Sequence, residues 1–264
     1  MSADSISSRR HAIVRELRDV RDSSAGDFAF LEGPRLIQEA LHSKLPLELL
    51  VWSTAVSMDS LLDDARAVAK RAFSMTESVF RAVSDVESPQ GILALVRRPV
   101  WEWKDLLSHV PEPLLVLDGI QDPGNLATIV RTAEAAGAAG LITTPGTARL
   151  FSPKALRGAM GASLRVPCLE QRPIPETAAA LKKNSYSLLA ASMKLIGKPS
   201  VIYTSVDWKK PIALLLGREG SGFSPEWNGL IDAPVHIPMK SSVESLNVAA
   251  AAAVLLYEFV RQNA

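Results

Sequence analysis

The chain has 264 residues, 47% of them hydrophobic and 22% charged, with a formal net charge of +1. That length and balance fit two globular domains and exclude a disordered chain or a uniformly basic nucleic-acid coat, so any polyanion must be met by local clusters. Cys168 is the only cysteine and the four histidines are scattered, which excludes an internal disulfide and points to metal-free chemistry.

Residues 1 to about 26 read as a charged helix, IVRELRDVRD, ending in a flexible Ser-Ser-Ala-Gly run. Acidic residues here and the lack of an apolar core argue against a secretory or organellar address, so the expected location is cytoplasmic. A small α/β pattern follows: a strand from Phe28 to Leu31, a helix from Pro34 to Leu41, a strand LELLVWS at 47–53, helices at about 58–71 and Glu77 to Ala82, and a strand beginning at Ile92. Pro99, Trp101, Trp103 and Pro111-Glu112-Pro113 mark a linker. The expected division is a domain at 1–99, a linker at 100–112 and a second domain at 113–264.

The second domain alternates strand and helix. Strands are expected at LLVLDGI from Leu114, Gly140 to Thr143, Leu164 to Cys168, Ser187 to Ala191, 212–217 and 234–239. Helices are expected at Leu126 to Ala136, Pro153 to Met160, Pro175 to Lys182 and from the Ser245-Leu246-Asn247 turn to about Arg261. This order predicts a mainly parallel, doubly wound sheet, whose ligands bind at the carboxyl ends of the strands. The apolar run Val248 to Tyr257 is too short to span a bilayer, so no membrane partner is expected.

Three loops at those strand ends carry the candidate chemistry. Asp118 to Asn125 (DGIQDPGN) leads into a helix that carries Arg131. Gly217-Arg218-Glu219-Gly220-Ser221-Gly222 follows the aliphatic strand PIALLL, and its glycines permit close backbone approach to a ligand. Lys240 to Asn247 (KSSVESLN) precedes the last helix. From the residues alone, Asn125 fits an N-cap as well as a site amide, Arg131 a surface charge, and Ser245 either a substrate contact or a helix cap. Basic residues cluster twice: Arg9, Arg10, Arg15, Arg18 and Arg21 with acids interleaved, and Arg149, Lys154, Arg157 and Arg165 in a stretch with none.

The segments DPGNLATIVRTAEAAG, LLLGREGSGFSPE and IPMKSSVESLNVAAAAAVLLYE resemble, in order and spacing, the three motifs of the SpoU/TrmH family of SPOUT RNA methyltransferases. FLEGPRLIQEAL, PLELLV and VFRAVSDVESPQGILALV resemble the substrate-binding domain of the same proteins. The resemblance implies an α/β fold with a deep trefoil knot in the C-terminal domain, and a homodimer. The implied activity is transfer of a methyl group from S-adenosylmethionine to an RNA ribose 2′-hydroxyl. Ribosomal RNA is the expected substrate. Transfer RNA and a non-catalytic RNA-binding role are the alternatives.

The same resemblance places Asn125, Arg131, Glu219, Ser245 and Asn247 in the catalytic pocket. It places Gly217, Ile237 and Leu246 against the cofactor, with Leu216 and Met239 as apolar walls. Arg149, Lys154, Arg157 and Arg165 become RNA contacts, and Arg9, Arg10 and Arg35 are candidates in the first domain. Asp122, Ser241 and Ala249 depart from the residues usual in the motifs, where asparagine, glycine and serine are common.

Overall fold

The computed structural model describes residues 5–23, 26–57, 60–193, 198–218, 220, 222–240 and 245–264. The chain divides into two compact units, one formed by Met1–Pro99 with Arg149–Arg165 and the other by Val100–Ala148 with Val166–Ala264.

In the first unit the elements are β1 (Ser5–Ile6), α1 (Ala12–Ser23), β2 (Phe28–Glu32), α2 (Pro34–His42), β3 (Leu47–Ser53), α3 (Ser60–Val68), β4 (Ala72–Met75), α4 (Glu77–Val83) and β5 (Ile92–Arg97). Among the described residues they build a five-stranded sheet in the order β1-β4-β3-β5-β2. β2 and β3 pair antiparallel to β5, while β4 pairs parallel to β1 and β3. The helix expected near the N-terminus forms because Ile13, Val14 and Leu17 fall on one face and are buried there. Its arginines are partly structural. Arg18 donates to the carbonyl of Ala82 at 3.1–3.2 Å, and Arg21 to those of Val83 and Ser84 at 3.0–3.1 Å. These are carbonyls at the end of α4 that a helix leaves without internal partners.

The second unit begins inside the expected linker, where α5 (Trp103–Leu107) sits behind a capping box of Glu102 and Asp105 and buries Leu106. It continues with β6 (Leu114–Leu117), α6 (Pro123–Ala135) and β7 (Gly140–Thr143). α7 (Pro153–Ala159) then leaves it to pack on β2 of the first unit. β8 (Cys168–Leu169), α8 (Ile174–Lys183), β9 (Ser187–Ala191), β10 (Val201–Ile202), β11 (Ile212–Leu216), β12 (Ala233–His236) and α9 (Val248–Asn263) complete the unit.

The sheet order is β10-β12-β9-β11-β6-β7-β8 and its pairings are parallel. The central strands β6, β7 and β11 are buried at every residue, which is why they read as unbroken aliphatic runs and not as alternating ones. One core cluster joins Leu114, Val116, Ile142, Leu188, Leu215 and Trp227. From β6 the chain moves outward through β7 to β8, then crosses back to β9 on the far side of β11. The reversal makes the carboxyl ends of β6 and β11 a topological switch point, the place where such sheets open a crevice.

Several boundaries differ from expectation. The helix expected over residues 1 to about 26 is confined to Ala12–Ser23, with the short strand β1 before it, because only Ile13, Val14 and Leu17 supply a buried helical face. The strand expected at Leu164 to Cys168 is a 3₁₀ turn at Ala162–Leu164 followed by the two-residue β8, because Met160 and Gly161 both turn into the left-handed region. The strand expected at 234–239 stops at His236. α6 starts three residues early, since Asp122 caps it and Pro123 occupies its first turn.

Candidate active site

At the switch point one buried carboxylate ties three strand ends together. Asp118, fully buried just past β6, accepts from Thr144 Oγ1 at 2.6 Å, from Ser224 Oγ at 3.0 Å and from the Ser224 amide at 2.6 Å. Its own amide donates to the carbonyl of Leu216 at 2.8 Å. A buried carboxylate is tolerated when its lone pairs are satisfied, and here the donors come from the loops after β7 and β11. Next to it, the amide of Gly119 donates to Thr147 Oγ1 at 3.0 Å, and that hydroxyl donates to the carbonyl of Leu117 at 2.9 Å.

The loop after β11 closes on itself. Arg218 and Gly222 exchange backbone hydrogen bonds of 2.8 and 3.0 Å. A β-carbon at Gly217 would stand 2.7 Å from the carbonyl oxygen of Gly222, so this tight return requires glycine there. Leu216 is buried in the sheet, whereas Gly217 is half-buried at its edge.

The first and third motif segments meet at the starts of α6 and α9. Asp122 Oδ1 accepts from the Asn125 amide at 2.8 Å and so caps α6. Asn247 caps α9, its Oδ1 accepting from the amides of Ala249 at 3.0 Å and Ala250 at 3.3 Å. The same side chain donates through Nδ2 to Asn125 Oδ1 at 3.0 Å, across 122 positions of sequence. The helix-cap roles therefore belong to Asp122 and Asn247, and neither Asn125 nor Ser245 fills them. α6 and α9 pack on one another behind this contact.

The other expected site residues stand as follows. Ile237 and Met239 are half-buried beyond the end of β12, and Leu246 is 40% exposed. Ser245 is exposed. Arg131 is exposed on α6, and its side chain makes no hydrogen bond or ion pair among the described residues. Glu219 and Ser241 lie outside the described residues.

All seven expected RNA-contact residues fall in the first unit. Glu39, buried in α2, pairs with Arg35 at 2.8 Å and with Arg165 at 2.7 Å, and Gly161 passes so close that a β-carbon there would lie 2.7 Å from Glu39 Cβ. Arg157 pairs with Asp85 at 2.8 Å. The stretch that carries no acid in sequence thus finds its acids in the fold. Arg9 reaches the carbonyl of Ser78 at 3.4 Å, and Arg10 and Arg149 are exposed.

Sequence reading did not single out Asp118, Thr144, Thr147 or Ser224. The signal was an aspartate directly following four buried aliphatics, LLVL, at a strand's carboxyl end. Among the described residues, no group of three or more histidine, cysteine or acidic side chains is arranged to hold a metal ion, and no helix is long and apolar enough to cross a membrane.

Residues 112–257 match the family model described as SpoU rRNA Methylase family. The chain belongs to that family. Residues 14–94 match the MRM3-like substrate binding domain, so a second family model covers most of the chain before the SpoU segment. Relatives of this SpoU protein include the 23S rRNA (guanosine(2553)-2'-O)-methyltransferase RlmP of Bacillus subtilis, 30% identical over 92% of each chain. The 23S rRNA (guanosine-2'-O-)-methyltransferase RlmB of Ralstonia nicotianae is 31% identical over 78% of this chain and 83% of its own. Among solved structures, the SpoU methyltransferase AviRb of Streptomyces viridochromogenes in complex with AdoMet superimposes with a TM-score of 0.85. It is 25% identical and aligns over 96% of this chain and 98% of its own. An AdoMet-bound rRNA methyltransferase of Sinorhizobium meliloti gives 0.84 at 27% identity over 98% of both chains.

Proposed function

We propose that this SpoU protein transfers a methyl group from S-adenosylmethionine to the 2′-hydroxyl of a ribose in ribosomal RNA. The observation that carries the reading is the 3.0 Å bond from Asn247 to Asn125, which closes the first and last motif segments on each other at the carboxyl ends of a parallel sheet. The names of RlmP and RlmB, both 23S rRNA 2'-O-methyltransferases, favour ribosomal over transfer RNA.

The residues present fit the cofactor. Leu246, Ile237 and Met239 offer partly exposed apolar surface beside main-chain polar groups, and Gly217 adds a stretch of backbone without a side chain. An adenosyl group needs that combination. When bound, S-adenosylmethionine supplies a methyl group activated on a positively charged sulfur. Leu216 backs the site from the sheet.

In this reading Asn125 and Asn247 fix the ribose and the two loops, since each amide is already oriented by the other. Arg131 holds the phosphate next to the target sugar and stabilises negative charge developing on the attacking oxygen, because its planar fork donates two parallel hydrogen bonds to oxyanions. It does not remove the proton, as guanidinium stays protonated at working pH. That proton leaves to water or to Glu219, and Ser245 supplies a further polar contact. Alignment of the reacting atoms in line can contribute on the order of 7 kcal/mol or more without a metal. Arg9, Arg10, Arg35, Arg149, Lys154, Arg157 and Arg165 guide the RNA through its phosphates, which position the polymer without reading its sequence.

The reading carries with it a cytoplasmic location, a trefoil knot in the segment leading to α9, and a homodimer. Support for the dimer comes from α9, where Ala250 is exposed, Ala253 and Val254 are half-buried and Tyr257 is 53% exposed, an apolar stripe at helical spacing. Light scattering on the purified protein tests it.

The activity is tested by offering tritiated S-adenosylmethionine with deproteinised bacterial ribosomal RNA and, in parallel, transfer RNA, and then mapping the blocked 2′-hydroxyls. Label on a ribosomal ribose is the expected result. Label on transfer RNA alone overturns the substrate, and failure to bind the cofactor in calorimetry overturns the chemistry in favour of a non-catalytic RNA-binding protein. Arg131→Lys separates charge from geometry: a fork requirement predicts a loss of turnover of about a hundredfold or more, near 2.7 kcal/mol.

A further inference from the structure

Arg218 lies in the glycine loop after β11 but has no part in the chemistry described above. Its main chain is fixed by the paired hydrogen bonds with Gly222. Its side chain runs sideways across the ends of β6 and β7. Cγ and Cζ stand 3.0 and 2.9 Å from the point where a β-carbon of Gly119 would be, and Nη2 stands 3.6 Å from the corresponding point on Gly146. Both glycines have positive φ, +69° and +88°, so two left-handed turns without side chains form the surface on which the arginine rests.

Arg218 is exposed as a residue, and among the described residues its guanidinium pairs with no carboxylate. Asp118, beside Gly119 in the chain, has its oxygens committed to Thr144 and Ser224. Laying a long side chain along a surface costs rotamer entropy, and an arginine that lies without a partner at a ligand crevice is set out for an anion that arrives from outside. The direction identifies which anion. The side chain leans toward β6 and β7, whereas β12, beyond whose end Ile237 and Met239 offer apolar surface for the cofactor, lies on the other side of β11.

We propose that Arg218, resting on Gly119 and Gly146, is a phosphate-binding subsite for the RNA backbone, on the β6–β7 side of β11, across that strand from β12. The inference rests on the methyltransferase reading above. It assigns Arg218 to positioning of the polymer and not to catalysis.

The experiment compares wild type with Arg218→Ala and Arg218→Lys, using deproteinised bacterial 23S rRNA as the probe. Thermal melts that match wild type establish that the exposed substitution leaves the fold intact. For Arg218→Ala the expected results are an unchanged Kd for S-adenosylmethionine in calorimetry, a five- to tenfold higher KM for RNA with kcat changed less than twofold, and a salt dependence of RNA binding shallower by about 0.7 to 0.9 of a unit in the log–log plot, the signature of one lost phosphate contact. Lysine restores the salt slope. Unchanged RNA affinity and slope overturn the inference while leaving the methyltransferase reading intact. Weakened cofactor binding with RNA affinity preserved overturns it in favour of a contact to the cofactor's carboxylate. Wild-type protein that neither binds the cofactor nor labels RNA brings down the underlying reading instead.

Discussion

Asn247 has two jobs that a pair of substitutions can separate. Its Oδ1 caps α9 and its Nδ2 holds Asn125. Replacement by alanine removes both. Loss of the cap costs about 1 kcal/mol, and loss of the bond to Asn125 adds about 1 more. At roughly 2–4 °C per kcal/mol for a chain of this size, Asn247→Ala should melt about 4–8 °C below wild type. Aspartate caps as well as asparagine does, and its charge is favoured at a helix N-terminus by about 0.3–1 kcal/mol. Asn247→Asp should therefore melt within about 2 °C of wild type. Yet it places a carboxylate oxygen where Nδ2 met the carbonyl oxygen of Asn125, so Asn125 must be repelled or must turn its amide over. Either outcome changes what the first motif presents to a ribose. Methyl transfer should then fall at least tenfold, about 1.4 kcal/mol in the barrier, with the fold intact. Differential scanning calorimetry and tritium transfer on the same preparations provide the comparison. An aspartate variant as unstable as the alanine variant, or one with wild-type turnover, would refute the division of roles.

Asp118→Asn should destabilise the protein by about 1–3 kcal/mol in denaturant titration, because an amide N–H would replace an oxygen that now accepts from Ser224 or Thr144 and would itself go unpaired. Burial pushes the Cys168 thiol well above its ordinary pKa, with the charge of Glu170 acting in the same direction. At pH 8 the native protein should resist iodoacetamide and the urea-unfolded chain should be modified at once, as read by mass spectrometry. The Arg261 guanidinium, helped by Gln262, holds the nearly buried Glu258 carboxyl below its usual 4.5. A lowered folded-state value means stability that is present above about pH 4.5 and lost as pH falls through the folded value. Glu258→Gln should be the less stable protein at pH 7 in thermal melts, with the gap closing in acid. A gap that stays constant with pH would contradict the assignment.

The central sheet was legible because β6, β7 and β11 are buried on both faces and had to be written as aliphatic runs. The two-residue strands β1 and β10 were not, since a strand that short has no periodicity to read. β4 was missed for a related reason: Ala72, Phe73 and Ser74 are only half-buried and carry no alternation. The stretch 149–165 reads as part of the second domain by continuity, yet its partners Glu39 and Asp85 lie 126 and 72 positions away from the arginines they hold. No local pattern reports a contact of that range. At the site, the turn before α9 was recognisable as a cap, but which residue filled it depended on side-chain reach. Ser245 lies two positions before the N-cap, and Asn247 stands directly before the first helical residue.

The charge of the site follows from where the two helices begin. α6 and α9 bring their first turns together through Asn125 and Asn247, and each helix N-terminus carries a partial positive charge of roughly half a unit. Asp118 is buried with its oxygens engaged, while Asp122, exposed, caps α6 at the Asn125 amide and offsets part of that helix's charge. The two helix starts, with Arg218 across the ends of β6 and β7, favour anions at this edge of the sheet. A ribose flanked by phosphates satisfies that field, and so does an oxygen that becomes negative as it reacts. On the proposed function, a crevice built this way favours a polyanionic substrate before any base is read, and the unit that matches the substrate-binding model is the expected place for sequence discrimination.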